Sequence, residues 1–265
     1  MDQAPNVQRV LRQHHNTGIV FLIVSAVMLV ILTCISVYFF IINPLDDNAL
    51  VVFISLISFP FVAVFWQRYH AAKSVYQNTP ITAEQFPEIH STIVELSQQA
   101  GLEQVPPASL TKDPALNPCS TNPGIRRGII IGVEAVAGCR EQNTPEALRF
   151  LIAHQIGHFV AGHHTKRWNI LSAPCMGTLG LRTLVTRHLE FTADAYATQL
   201  CCDGAHQGLA LLAIGKDNFA YVDRDIQIRA ASSQKSWLSH IARWTATEVA
   251  PTERVWRLQK DGLIP

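Results

Sequence analysis

The chain has 265 residues, 48% of them hydrophobic, with a formal net charge of +1 and a mean hydropathy of +0.16. That length holds one ordinary domain plus a smaller element, and the positive hydropathy assigns the smaller element to a membrane. A pI near 7.7 leaves no basic footprint for nucleic acid, and six cysteines without a C-x-x-C pair argue for free thiols in a reducing compartment.

Residues 1–16 read as a cytoplasmic tail. Residues 17–42 follow as an uncharged apolar run, about 39 Å long as a helix against a hydrocarbon core of roughly 30 Å. The run exceeds a signal-peptide core and has no small-x-small cleavage site, so it predicts a retained anchor. Residues 49–66 give a second run of about 27 Å, with a tolerated Pro60 inside it. Together residues 17–66 predict a two-helix transmembrane hairpin, and hence a multi-pass protein in contact with the lipid bilayer. The connecting loop carries only Asp46 and Asp47, whereas Arg9 and Arg12 precede the hairpin and Arg68 and Lys73 follow it. By the positive-inside rule the large domain, residues 67–265, is then cytoplasmic.

Within that domain, Thr82 and Gln85 form a T-x-x-Q capping signal for a helix running to Ala100, with Ile89, Ile93, Val94 and Leu96 on its apolar face and Gly101 at its end. Residues 105–124 are rich in Pro and Asn and read as loop, with one short strand at 109–111. Residues 128–133, GIIIGV, predict a buried or edge strand.

Residues 144–167 are the centre of the sequence. Thr144 suits an N-cap, Pro145 the first helical position and Glu146 the helix dipole, and Leu148, Leu151, Ile152 and Ile156 recur at helical spacing. His154 and His158, four residues apart, present two imidazoles on one helical face, as two ligands of a tetrahedral zinc require. Two histidines satisfied within a core would give the same spacing. In the zinc-protease pattern the first His is followed by a Glu that serves as general base toward the attacking water; here that position is Gln155, whose amide has no usable basicity. Residues 168–186 are broken by Pro174, Gly177 and Gly180 and do not read as a further span. Residues 186–197, TRHLEFTADAYA, form a helix whose Glu190 and Asp194 are again four apart, suited to complete a His₂Glu site and to hold a ligand imidazole by its far N–H. A helix over 203–220, with Leu209, Leu212 and Ala213 inward, and a partly helical remainder complete the chain.

These two stretches resemble the integral-membrane zinc metallopeptidases of the HtpX and CAAX prenyl protease family. The H-x-x-x-H of His154 and His158 and the T-R-x-x-E-F-x-A-D of residues 186–194 carry the resemblance, which extends over most of the chain. It implies an α+β, zincin-like (gluzincin) metallopeptidase domain, in which an edge strand aligns a polypeptide substrate over the helix with the two histidines. It also implies one Zn²⁺ held by His154, His158 and Glu190, with Asp194 orienting a ligand histidine. Membrane or misfolded proteins are the implied substrates. Arg254 and Leu258 match the family's closing motif, but Glu248 and Val249 replace its His-Pro, which weakens a transition-state role for Arg254. Members often carry two more spans between the signatures, for which there is no room here. A metzincin pattern would use His164 as third ligand and Met176 in a turn, but it needs glycine at Ala161, and Gly162 is one residue late. His163 and His164 then read as polar residues at the helix end. Two functions remain: a zinc endopeptidase in which Gln155 records a Glu→Gln exchange, or a pseudopeptidase that binds polypeptides or membrane partners without cutting them.

Overall fold

The computed structural model describes residues 5–43, 47–112, 119–122, 128–163, 165, 179–233, 236–246 and 248–265. Two long helices, α1 (Pro5–Ile42) and α2 (Asp47–Gln77), lead into a mostly helical domain built on one small sheet. Its strands are β1 (Thr79–Ile81), β2 (Ala108–Thr111), β3 (Cys119–Asn122) and β4 (Gly128–Gly132), ordered β1-β2-β4-β3. β2 and β4 run parallel, and the two edge strands pair antiparallel to their neighbours. Because β4 lies between β2 and β3, its Ile129, Ile130 and Ile131 are all buried, which is why it reads as a continuous apolar run with no alternation.

Helix α3 (Pro87–Gln99) covers the sheet, α4 (Val133–Glu141) follows β4, and α5 (Pro145–Val160) carries the two histidines. Then come α6 (Leu179–Leu200), α7 (Ala205–Ile214), a 3-10 turn at Phe219–Tyr221, α8 (Arg224–Ser233), α9 (Trp237–Thr245) and α10 (Pro251–Lys260). One core joins them: Ile89, Ile93 and Leu96 from α3, Phe150, Leu151 and Ile152 from α5, Leu209 and Leu211 from α7, and Val255 and Leu258 from α10. Phe150 to Gly157 are buried without a break, so the middle of α5 is enclosed on all sides.

Several expectations need correction. The capping box at Thr82 and Gln85 is a local turn and not a helix start. Thr82 Oγ1 accepts from the Gln85 N–H at 3.1 Å, and the Thr82 N–H donates to the Gln85 carbonyl at 2.9 Å. The helix begins only at Pro87, after Phe86 adopts a left-handed φ of 64°. Thr144 does occupy the N-cap of α5, but its hydroxyl makes no cap hydrogen bond. β1, β3 and α4 were not anticipated. The segment 166–178, with Pro174, Met176 and Gly177, and His164 lie outside the described residues.

The two-span topology is also corrected. Among the described residues one helix, Gln8–Ile42, is long and apolar enough to cross a membrane, and the apolar stretch found there in α2, Asn48–Phe59, is shorter than a span requires. With one qualifying helix among the described residues, the two-span reading that placed both ends of the chain on the cytoplasmic side is not supported.

α1 itself divides into two parts. Val10, Leu11 and His14 are buried against α6 and the C-terminal segment, where Val10 and Leu11 meet Ala195, Tyr196 and Leu263. His14 Nδ1 lies 3.1 Å from His188 Nδ1, and its Nε2 lies 3.5 Å from Asp261 Oδ2. Leu22 packs on Val185. Beyond that point Ile23, Val27, Val30, Ile31, Ile35, Phe39 and Ile42 are exposed, and Phe40 stacks on Phe53 of α2 with ring centroids 5.0 Å apart.

Candidate metal centre

Helices α5 and α6 pack face to face, and the contact is closest at Gly157. A Cβ added there would lie 2.8 Å from the Ala193 carbonyl oxygen and 2.9 Å from Tyr196 Cβ, so only glycine permits this approach. The consequence is that His154 and His158, which flank Gly157 on α5, meet Glu190 and Asp194, which flank Ala193 on α6.

His154, His158 and Glu190 offer ligand atoms that all lie within 4.8 Å of one another. The two Nε2 atoms are 3.2 Å apart, His154 Nε2 is 3.3 Å from Glu190 Oε2, and His158 Nε2 is 3.5 Å from Glu190 Oε1. Ligands at zinc distances of 2.0–2.2 Å in a tetrahedron stand about 3.4 Å from one another, so this triangle has the size of three zinc ligands.

The surroundings fit a cation as well. His154 Nδ1 donates to Asp194 Oδ1 at 2.8 Å, which turns the Nε2 lone pair toward Glu190 and His158. Asp194, fully buried, also accepts a two-pronged contact from Arg254, Nη2 to Oδ1 at 2.6 Å and Nε to Oδ2 at 2.8 Å. Arg254 Nη1 reaches Glu190 Oε2 at 3.1 Å. Burial acts to raise the Glu190 and Asp194 pKa values, but Arg254 and the histidines outweigh it and hold both carboxyls below their ordinary range. Two carboxylates against one guanidinium leave the cluster net negative.

The histidines respond in opposite directions. Burial and Arg254 act to lower the His154 pKa, yet Asp194 and Glu190 win and raise it. His158 is lowered, chiefly by burial. The two carboxylates beside the converging lone pairs make that point compatible with a bound cation.

Gln155 follows His154 on α5 and is 3% exposed. The His154 and His158 spacing, a buried Gln155 in the general-base position and Glu190 from a second helix match a zinc-protease active site that has lost its base. His163 stands at the helix end, as read, but it is 8% exposed, with Nδ1 3.0 Å from His158 Nδ1. Arg254, expected to contribute little, is buried at the heart of the cluster. It is held there by its neighbour Glu253, which accepts from Arg187 of α6 and Arg243 of α9, both at 3.1 Å. A clue was present in the sequence, since Arg254 shares the inward face of α10 with Val255 and Leu258.

No known protein family, curated protein or solved structure matches the chain.

Proposed function

We propose that this protein is a zinc metalloendopeptidase of the HtpX and CAAX prenyl protease type, with a gluzincin domain, whose cleavage step is disabled by Gln155. One observation carries this reading: the His154, His158 and Glu190 triangle has zinc-site dimensions, with Gln155 directly after the first histidine. When bound, zinc would polarise the scissile carbonyl and acidify the attacking water.

The residues of the chain take distinct roles around it. His154, His158 and Glu190 would hold the ion, and Asp194 fixes the His154 ring. Arg254 balances the two carboxylates. β3 is an edge strand that contacts α5, so an extended polypeptide can add to its free edge and lie across the site. Gln155 can hydrogen-bond a water but cannot take its proton or hand one to the leaving amine, because an amide neither ionises nor accepts a proton near neutral pH. The apolar half of α1 supports a bilayer as a partner, which makes membrane or misfolded polypeptides the substrates we favour.

A non-cutting, polypeptide-binding role is the second reading. It is favoured by the same residue, a buried glutamine inside an otherwise complete constellation. Replacing Gln155 by Glu separates the two: cleavage gained supports the peptidase, and a zinc-loaded, polypeptide-retaining protein that stays inert supports the binding role.

A further inference from the structure

The two histidines of the centre are supported unequally. His154 has a carboxylate on its Nδ1, Asp194 at 2.8 Å. His158 has instead another imidazole: its Nδ1 is 3.0 Å from His163 Nδ1, with ring centroids 5.2 Å apart and planes at 62°.

The backbone explains how His163 arrives there. Helix α5 ends at Ala161, and Gly162 takes a left-handed φ of 73°. The His163 N–H donates to the His158 carbonyl at 3.0 Å and the Gly162 N–H to the Phe159 carbonyl at 3.1 Å. That is the paired hydrogen-bond pattern of a Schellman ending, which folds the residue after the glycine back over the last helical turn. The usual occupants of those two positions are apolar; here they are histidines. On its other side His163 meets His15 of α1, with centroids 6.2 Å apart and planes within 14°. His15 is presented by the docked part of α1, where His14 is set between His188 and Asp261.

We propose that His163 is the positioning residue for His158, accepting its Nδ1–H as Asp194 accepts that of His154, and that His15 steadies His163 so that α1 forms part of the metal centre. This rests on the reading of the centre as a zinc site. A ligand imidazole needs its far nitrogen hydrogen-bonded so that its lone pair faces the ion. A neutral acceptor meets that need without burying a third carboxylate beside Glu190 and Asp194, which would be costly.

The test uses the full chain and reads zinc affinity by competition with a chelator, together with the visible absorption of the cobalt-substituted protein. His163→Ala should weaken zinc about 10–100-fold and alter the cobalt bands, because outer partners of metal ligands carry effects of that size. His163→Asn, whose side-chain amide falls near the lost Nδ1, should recover affinity to within about threefold of the parent, whereas His163→Leu, which fills space only, should not. His15→Ala should weaken zinc by less than His163→Ala but measurably. Parental affinity in His163→Ala, or equal affinity in the Asn and Leu variants, overturns the role of His163. Parental affinity in His15→Ala overturns the part assigned to α1. A parent that takes up no zinc overturns the centre itself and this inference with it, an outcome distinct from a zinc-binding parent with unchanged variants.

Discussion

Arg254 shows most clearly how one residue depends on the whole cluster. It is the only guanidinium within reach of Asp194 and Glu190 among the described residues, and all three are tied by contacts of 2.6–3.1 Å. Arg254→Ala would leave the buried Asp194 and the partly buried Glu190 uncompensated, a loss of about 3–5 kcal/mol by comparison with other broken buried pairs, measurable by chemical denaturation. Asp194→Asn with Arg254→Met, which removes both charges, should recover part of that loss. Glu190→Ala tests the ligand set: the parent should hold one zinc per chain and the variant should lose most of it, because binding needs all three donors and not residue 155. Equal zinc in both would contradict the assignment. His154, His158, Glu190 and Asp194 were legible in the sequence because each pair sits four apart on one helix, and helical periodicity alone brings such pairs together. Arg254 was marked only by its match to the closing motif; its contact with Asp194 was not legible, because the two lie 60 residues apart and the contact exists only once α6, α9 and α10 have assembled. The contact of His163 with His158 was hidden for a related reason. A histidine beyond a helix end looks solvated until the left-handed Gly162 turns it back, and the glycine that fails the metzincin register is the one that makes this turn.

At the scale of elements, the crossing of α5 and α6 decides whether the four site residues meet. Gly157→Ala would force a methyl into the Ala193 carbonyl, so the helices must separate by several tenths of an ångström. The expected cost is about 1–3 kcal/mol of stability, the usual range for overpacking, with a parallel fall in zinc affinity read on the same protein. Loss of stability with zinc affinity intact would show that the crossing does not set the site geometry. Secondary structure was readable where an apolar run or helical spacing was strong, as in the apolar part of α1, in α5 and in α6; the first turns of α1, read as a tail, are helical from Pro5. It was unreadable where tertiary contacts decide the outcome. The T-x-x-Q at Thr82 closes a turn because Phe86 in a left-handed conformation stops the helix from reaching back to it. β1 and β3, three and four residues long, carry too few side chains to show alternation.

For the whole molecule, α1 joins the domain that carries the candidate metal centre to an apolar surface. From Val20 to Ile42 it exposes a stretch of about 34 Å, comparable with a hydrocarbon core, while its first turns are packed beside the metal centre. If the bilayer covers that stretch, the protein should stay with the membrane pellet after an alkaline carbonate wash. A variant carrying Val27→Asp, Ile31→Asp and Ile35→Asp, three exposed positions on successive turns, should move to the supernatant, since each aspartate near the centre of a span costs about 2.5–3.5 kcal/mol. A parent that washes off would remove the bilayer from the account. The apolar length was plain in the sequence.

The central claim is that this is a peptidase site lacking only its base, and Gln155→Glu tests it most directly. The parent should bind zinc and an unfolded casein-like polypeptide while cleaving it hardly at all. General acid–base assistance is typically worth about 10²–10⁴-fold, so Gln155→Glu should raise the cleavage rate by at least about a hundredfold, and the gain should vanish when His158→Ala is added. A Gln155→Glu protein that keeps its zinc, retains the polypeptide and still does not cut it would contradict the peptidase reading.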